Sequence, residues 1–563
     1  MAVSLTQSPI PGSLLIRHAG DQVAFSLHPG TATAGGAFLR TNLRQVALHR
    51  AELIAAVEQG CPPPGLDWED LPMAPDGTGG WSLTLPLPDV GSFEAKAYLL
   101  PDELSPPVWP GAEGNVRIKV EPAWTVAENS IYAAFPRLFR DNAGDVPEAS
   151  LKPLDDAGYT VIPPSGTFRS VTARLDHIIR DMSFGIVLLL PPFPVPSTHA
   201  RMGRYGSPFA ALDFYNVDPS LAEFDGRTTP LQQFRELADG IHARGARLFI
   251  DIPINHTGWA SQLQGHHPEW FVRNEDGTFH SPGAWGVVWA DLVKLDYQHR
   301  ALWQEMANVF LYWCRQGVDG FRCDAGYFIP QPVWRYITAK VRREFPDTVF
   351  LLEGLGGPIP VMLELLTEGG LNWAYSELFQ NENRGAMDWY LPQAIAQSKC
   401  QGYQVNFAET HDNARLAATS PAWARLRTAV AALSSPAGSW GLTCGAEWFS
   451  TEQIRVHGAT SLTEGAAENQ TAAIASLQQL LKQPAFTAGA TLQLVTSSSG
   501  SGVALRRISL DESQSLLILM NLETTHPTEV TWPAADFPSG ALVAVPCGTP
   551  PAALGWGDGT GYA

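Results

Sequence analysis

The sequence predicts an α/β protein: a (β/α)8 barrel of the TIM type flanked by an N-terminal and a C-terminal β-sandwich domain. Three observations carry that expectation. The chain has 563 residues, which at roughly 100–200 residues per domain means two to four domains, or one large unit with smaller attachments. Its middle alternates short apolar strands with long amphipathic segments, the pattern of repeated βα units around a parallel sheet. Its two ends carry short strands of period-two patterning instead, broken by Pro and Gly clusters.

The first unit is expected over residues 1–127. From Ser13 to Trp124 the segments SLLIRHA, QVAFSLH, WSLTLPLP, FEAKAYLL and NVRIKV read as an antiparallel β-sandwich, interrupted by a helical stretch at LRQVALHRAELIAAVEQG. Residues 128–486 hold eight candidate strands: SIYAAFPRLF, GIVLLLPPF, RLFIDIPINH, VDGFRC, TVFLLEG, LNWAYSE, YQVNFAETHD and SWGLTCG. The runs PLQQFRELADGIHARG, LWQEMANVFLYWCRQG and VWRYITAKVRREF lie between them with apolar residues at helical spacing. Eight strands with alternating helices fit a closed barrel, whose active site lies at the C-terminal strand ends. An open doubly wound sheet is the alternative, but no GxGxxG or Walker loop follows an early strand. The stretch from about 257 to 297 exceeds an ordinary βα loop and predicts a small insertion that shapes the cleft. Over residues 487–563, TLQLVTS, GVALRRIS, SLLILMNL and ALVAVP predict a second small β-domain.

Charge and composition narrow the partners. Lys plus Arg number 37 against 56 Asp plus Glu, a net charge of -19, which argues against nucleic acid or an anionic membrane as the main partner. The 18 Trp, 13 Tyr and 25 Phe supply flat apolar faces that suit stacking on sugar rings as well as packing. Cys61, Cys314, Cys323, Cys400, Cys444 and Cys547 show neither CxxC pairs nor zinc spacing, so free thiols are expected. No cofactor or metal is expected. The opening MAVSLTQSPIPGSLLIRHAG has no basic start followed by a sustained apolar core, and the expectation is a soluble cytoplasmic protein. Nothing in the sequence indicates an oligomeric state.

The candidate chemistry stands at strand ends. Asp251 lies in the third candidate strand, Asp324 after the fourth, Glu353 at the end of the fifth and Asp412 after the seventh, so a closed barrel would turn them toward one another across its mouth. Any one such residue is more often a helix cap or a structural ion pair. Convergence of three reverses that balance, because cleaving a glycosidic bond takes one carboxylic acid to protonate the leaving oxygen and one carboxylate to meet the anomeric carbon. Arg322 and Asp324 are two apart on a strand and point the same way, so the guanidinium would keep its neighbour ionised and aimed. Glu353 is flanked by Leu351, Leu352 and Gly354, and desolvation there would raise its pKa toward what a neutral-pH acid needs.

From about Ser130 to Gly445 the sequence resembles the α-amylase superfamily, glycoside hydrolase family 13. Four segments carry the resemblance: DIPINHT at 251–257, GFRCD at 320–324, FLLEG at 350–354 and ETHDN at 409–413. It implies a retaining double displacement on an α-glucan or maltooligosaccharide, with Asp324 as nucleophile, Glu353 as acid and then base, and Asp412 as stabiliser of the distorted sugar. It also implies that Asp251, His256, Arg322 and His411 help bind that sugar. In RYGSPFAALDFYNVDP, Phe209 and Asp213 resemble a segment whose aromatic stacks beneath the same ring, here without the hydroxyl of a Tyr. Trp259, Trp270, Trp285, Trp289, Tyr327 and Trp448 are further stacking candidates. Asn255 and Asp291 resemble calcium ligands of some members, but six to eight oxygens cannot be assembled around them.

The sequence departs from the family after the nucleophile, where Ala325, Gly326 and Tyr327 replace a basic residue and a His. Ordinary endo-acting starch cleavage is therefore a weaker expectation. LVKLDY at 292–297 is similar to the extra motif of neopullulanase-like members. HHPEWFVRNEDGTF and the N-terminal β-domain are similar to the bacterial maltosyltransferase that extends α-glucan from maltose 1-phosphate. That alternative requires a phosphate pocket, for which Arg201, Arg204, Arg273 and Lys294 are the cations near the motifs. A non-catalytic glucan-binding barrel is the remaining alternative.

Overall fold

The computed structural model describes residues 4–31, 35–102, 105–140, 148–159, 161–497, 500–541, 555–557 and 560–562. Its centre is a closed eight-stranded parallel barrel. In chain order the strands are β1 (Ser130–Ala134), β2 (Ile186–Leu189), β3 (Arg247–Ile252), β4 (Gly320–Cys323), β5 (Val349–Leu352), β6 (Trp373–Tyr375), β7 (Gln404–Phe407) and β8 (Trp440–Thr443). β8 pairs with β1 to close the ring. All eight fall inside the segments read from the sequence. Each is buried on both faces, inside by its fellows and outside by helices, which is why these strands read as continuous apolar runs.

Alternation along each strand sorts the side chains. Ile131, Ile186, Phe249, Val349, Leu351, Trp373, Val405 and Phe407 fill the interior, while Val187, Leu248, Ile250, Phe350 and Leu352 pack outward against the helices. Two glycines make room for the interior aromatics. A Cβ at Gly320 would overlap the Phe249 ring, and one at Gly441 would overlap the Phe407 ring. The inward set continues beyond the apolar layers: Asp251 follows Phe249, Arg322 and Asp324 follow Gly320, and Glu353 follows Leu351. Strand periodicity thus delivers a charged layer to the C-terminal rim.

The expected insertion folds as a small unit of its own between β3 and the helix Arg300–Arg315. His256–Gly258 pairs antiparallel with Leu292–Lys294, and Gly283–Ala284 forms a hairpin with Val287–Val288. Ahead of the barrel lie a four-stranded and a five-stranded sheet whose strands interleave in sequence, with the helix Val46–Glu58 connecting two strands of the five-stranded sheet. They depart from the antiparallel expectation at one place, because Leu14–His18 pairs parallel with Val116–Glu121. They also begin earlier than Ser13, since Leu5–Ser8 joins the first sheet. After the barrel, Thr491–Leu494, Gly502–Ile508 and Ser515–Asn521 form an antiparallel sheet. Most of the ALVAVP segment lies outside the described residues, as does Cys547. The other five cysteines are free thiols. Among the described residues no helix is long and apolar enough to cross a membrane.

Candidate active site

The register of two strands builds the centre of the site. Asp251 on β3 stands directly across from Arg322 on β4, and the Arg322 Nη1 donates to Asp251 Oδ2 at 2.5 Å and to Asp324 Oδ1 at 2.9 Å. Arg322 and Asp251 are buried. A planar guanidinium between two carboxylates holds both in fixed orientation, which a flexible ammonium would not do. The ring of Tyr375, at the end of β6, lies 5.2 Å from the guanidinium carbon, and the Phe209 ring lies 5.9 Å from it on another side. Tyr375 escaped the sequence reading, although its inward place at a strand end is a usable signal.

Glu353 is anchored by backbone. Its Oε2 accepts from the Ala325 N–H at 2.8 Å and its Oε1 from the Leu355 N–H at 3.0 Å. Ala325, the residue after Asp324, sits in the left-handed region at φ 46°, a costly conformation for a residue with a Cβ. That turn aims its N–H at Glu353 and ties the two carboxylates together through one residue. Gly326 then passes close to Leu352, where a Cβ would crowd the side chain, and the Trp334 indole N–H donates to its carbonyl at 3.0 Å. Residues that depart from the family pattern therefore have a structural role here. Burial pushes the Glu353 carboxyl up to about 7, and the nearby Asp324 adds to that against the opposing pull of Arg322.

The two expected histidines flank this cluster. His256 is buried, with Nε2 4.0 Å from Asp324 Oδ2 and without a hydrogen-bond partner. Burial lowers its pKa, so a neutral imidazole faces Asp324. His411, also buried and lowered by burial, stacks on Phe209 at 5.6 Å between ring centroids. Asp412 differs from the other acids. Its side chain is 66% exposed, and it reaches the cluster through His411 Nε2 at 3.4 Å. Asp251, Arg322, Asp324 and Glu353 thus form one connected group, with Asp412 on its open lip.

Asp213 is engaged by its own loop and by the insertion. Its carboxylate accepts from the Tyr215 N–H at 2.8 Å, from Asn216 Nδ2 at 2.5 Å and from Gln262 Nε2 at 3.0 Å. It closes its own turn and fastens the insertion. The aromatic candidates divide in the same way. Trp270 stacks on His267 at 3.8 Å and Trp448 on His177 at 4.9 Å, both packing roles. Trp289 stands edge-on to His256 at 6.0 Å, and Trp285 is exposed beside Gly356 in the loop after Glu353. Among the described residues no group of three or more His, Cys, Asp or Glu side chains is arranged to hold a metal ion.

Residues 133–350 match the family model described as the α-amylase catalytic domain. Over that stretch, from β1 to β5, the chain is similar to an α-amylase catalytic domain. Among curated proteins this chain is similar to an α-1,4-glucan:maltose-1-phosphate maltosyltransferase of Rhodospirillum rubrum, 30% identical over 262 residues, covering 44% of this chain and 37% of that one. It is also similar to the protein of that name from Myxococcus xanthus, 26% identical over 294 residues, covering 50% and 43%. The chain spans less than half the length of these relatives. Among solved structures, an α-amylase from Lactobacillus plantarum aligns at a TM-score of 0.56 with 22% identity, covering 78% of this chain and 97% of that one. A cyclomaltodextrinase aligns at 0.59 with 16% identity, covering 94% and 93%. At these identities the likeness is one of fold. The cyclomaltodextrinase alignment takes in the flanking sheets as well as the barrel.

Proposed function

We propose that the chain is a retaining α-glucan-active enzyme that passes a glycosyl unit through a covalent intermediate on Asp324. The observation that carries this reading is a buried Glu353 with a pKa near 7, held one residue from an Asp324 that Arg322 grips. The pairing supplies an acid that keeps its proton at neutral pH and an anionic nucleophile beside it. Asp324 Oδ attacks the anomeric carbon while Glu353 gives its proton to the leaving oxygen. Glu353, now ionised, takes a proton from the incoming water or sugar hydroxyl, whose oxygen displaces Asp324. Phe209 stacks on the sugar held above the nucleophile, and the free Nε2 of His256 bonds one of its hydroxyls. Asp412, exposed at the lip, closes on the neighbouring hydroxyls as the ring flattens. We assign the barrel to residues 128–486 and the flanking β-units to 1–127 and 487–563.

Transfer is favoured over hydrolysis by the relatives' names, and those names together with two side chains support a donor bearing a phosphate. Lys294 stands opposite His256 on the antiparallel pair of the insertion and so shares its face. Arg204 is paired with Asp155 and Arg273 lies over Phe279, which leaves Lys294, 5.7 Å from the Phe328 ring centroid, and Arg201, whose buried Nη1 has no hydrogen-bond partner, as the cations to meet a leaving phosphate. Product analysis with maltooligosaccharides alone, with added acceptor glucan, and with maltose 1-phosphate plus glucan tests the reading. Lengthened glucan with retained α-configuration is expected. Failure of every donor and acceptor to react, or products of inverted configuration, would overturn it.

A further inference from the structure

A cavity of about 190 Å³ lies between the N-terminal sheets and the barrel. Its walls come from the strands Leu14–His18, Gly91–Leu100 and Val116–Glu121, the helix Val46–Glu58, and the barrel helix Gln331–Glu344. The barrel residues involved, such as Arg342 and Gly370, sit where a helix has run back and the next strand begins, so the cavity opens at the end of the barrel opposite the carboxylates. Five Arg or Lys side chains line it against two Glu, in a chain whose net charge is -19.

Two of those cations are neutralised. Arg117 pairs with Glu368 at 3.0 Å, and Lys119 bonds three carbonyls and lies 3.3 Å from Glu121. Three are not. Arg50 donates only to the carbonyls of Arg342 and Val90. Arg342 donates to the Gly370 and Thr348 carbonyls and to the Asn372 side-chain oxygen, and its buried Nε has no hydrogen-bond partner. Arg335 pairs with no acid among the described residues. Burial lowers the basicity of both Arg50 and Arg342; Asp89 opposes that at Arg50, and at Arg342 Glu121 opposes it while the nearby Arg50 adds to it. Carbonyl dipoles orient such guanidiniums without cancelling their charge, and an anion between them would relieve desolvation and repulsion together.

We propose that this cavity is a binding site for a small phosphate monoester, separate from the glycosidic site. Its size is below the roughly 300–1,000 Å³ of pockets for drug-sized ligands, and apolar walls from Leu14, Leu53, Phe93 and Ile118 suit the carbon body of a sugar phosphate. Isothermal titration of the full chain, with saturating maltooligosaccharide to fill the glycosidic site, tests it. Glucose 1-phosphate should bind at one saturable site, and inorganic phosphate should bind there more weakly. Arg335→Gln, which removes an exposed guanidinium with no acidic partner, should weaken binding at least about tenfold, as expected for a lost charge-assisted bond, with the unfolding temperature unchanged. Arg50→Lys should weaken it while keeping one positive charge. Absence of saturable binding of either compound, or equal binding by wild type and Arg335→Gln, would overturn the proposal. Turnover by the same preparation, measured in parallel, keeps failure of this site distinct from failure of the proposed glycosidic chemistry.

Discussion

The two ends of the barrel each bury an arginine, and their surroundings differ in kind. At the C-terminal rim Arg322 meets two carboxylates, Asp251 and Asp324, and open polar atoms remain around it at Asp251 Oδ1 and His256 Nε2. At the opposite end Arg342 meets carbonyl and amide oxygens of the loop between the helix Ile359–Thr367 and β6. Burial and hydrogen bonding of the cation are nearly the same at both. The distinguishing mark is what the partners can still do: carboxylates can accept a proton or attack carbon, whereas carbonyls only fix geometry. A buried arginine alone therefore says little about function, and its anionic neighbours say much.

The comparison breaks most sharply at the nucleophile. Asp324→Asn should lower turnover on the order of 10⁴-fold or more, as removal of a covalent nucleophile does elsewhere, while maltooligosaccharide affinity, measured by calorimetry, stays within a few-fold. Unchanged turnover would remove Asp324 from the chemistry. Next in size is Arg322→Met, which strands Asp251 as an unpaired buried charge. Denaturant unfolding should register a loss of about 3–5 kcal/mol. Arg342→Met leaves only carbonyl and amide oxygens unsatisfied, so the loss there should be smaller, about 1–3 kcal/mol, with kcat unaltered. Equal losses at both ends would erase the proposed difference between them.

The sequence made one of these ends legible and left the other dark. Period-two placement put Asp251, Arg322, Asp324 and Glu353 on the inward face of strands whose apolar runs were already plain, so the rim could be read before the fold was seen. All eight strands were legible because parallel strands buried on both faces have little choice but continuous Val, Ile, Leu and Phe. The bonds of Asp213 within its own loop were not legible, because a motif position carries no sign of which neighbours its carboxylate accepts from. Tyr375 was missed because its interest lies in the Arg322 beside it, a contact between strands distant in sequence. The cavity around Arg342 was invisible for the same reason, since its walls come from residues as far apart as Leu14 and Gly370.

Smaller effects sharpen the picture of the rim. If Glu353 is the acid proposed above, it must carry its proton to donate it, and with burial raising its pKa to about 7 kcat/KM should fall as pH rises through that value, approaching tenfold per unit above it. A profile flat to pH 9 would assign the acid elsewhere. Phe209→Ala should raise KM about two- to tenfold through lost stacking, and Phe209→Tyr should restore it.

The most direct test of the central claim is to trap the intermediate. A fluorinated α-glycosyl fluoride, whose ring fluorine slows both steps while its good leaving group spares the first, should accumulate a glycosyl-enzyme that mass spectrometry of the digested protein reads as added sugar mass on the peptide bearing Asp324. Sugar on a different carboxylate, or steady turnover of the reagent with retained configuration and no adduct under any condition, would contradict the account.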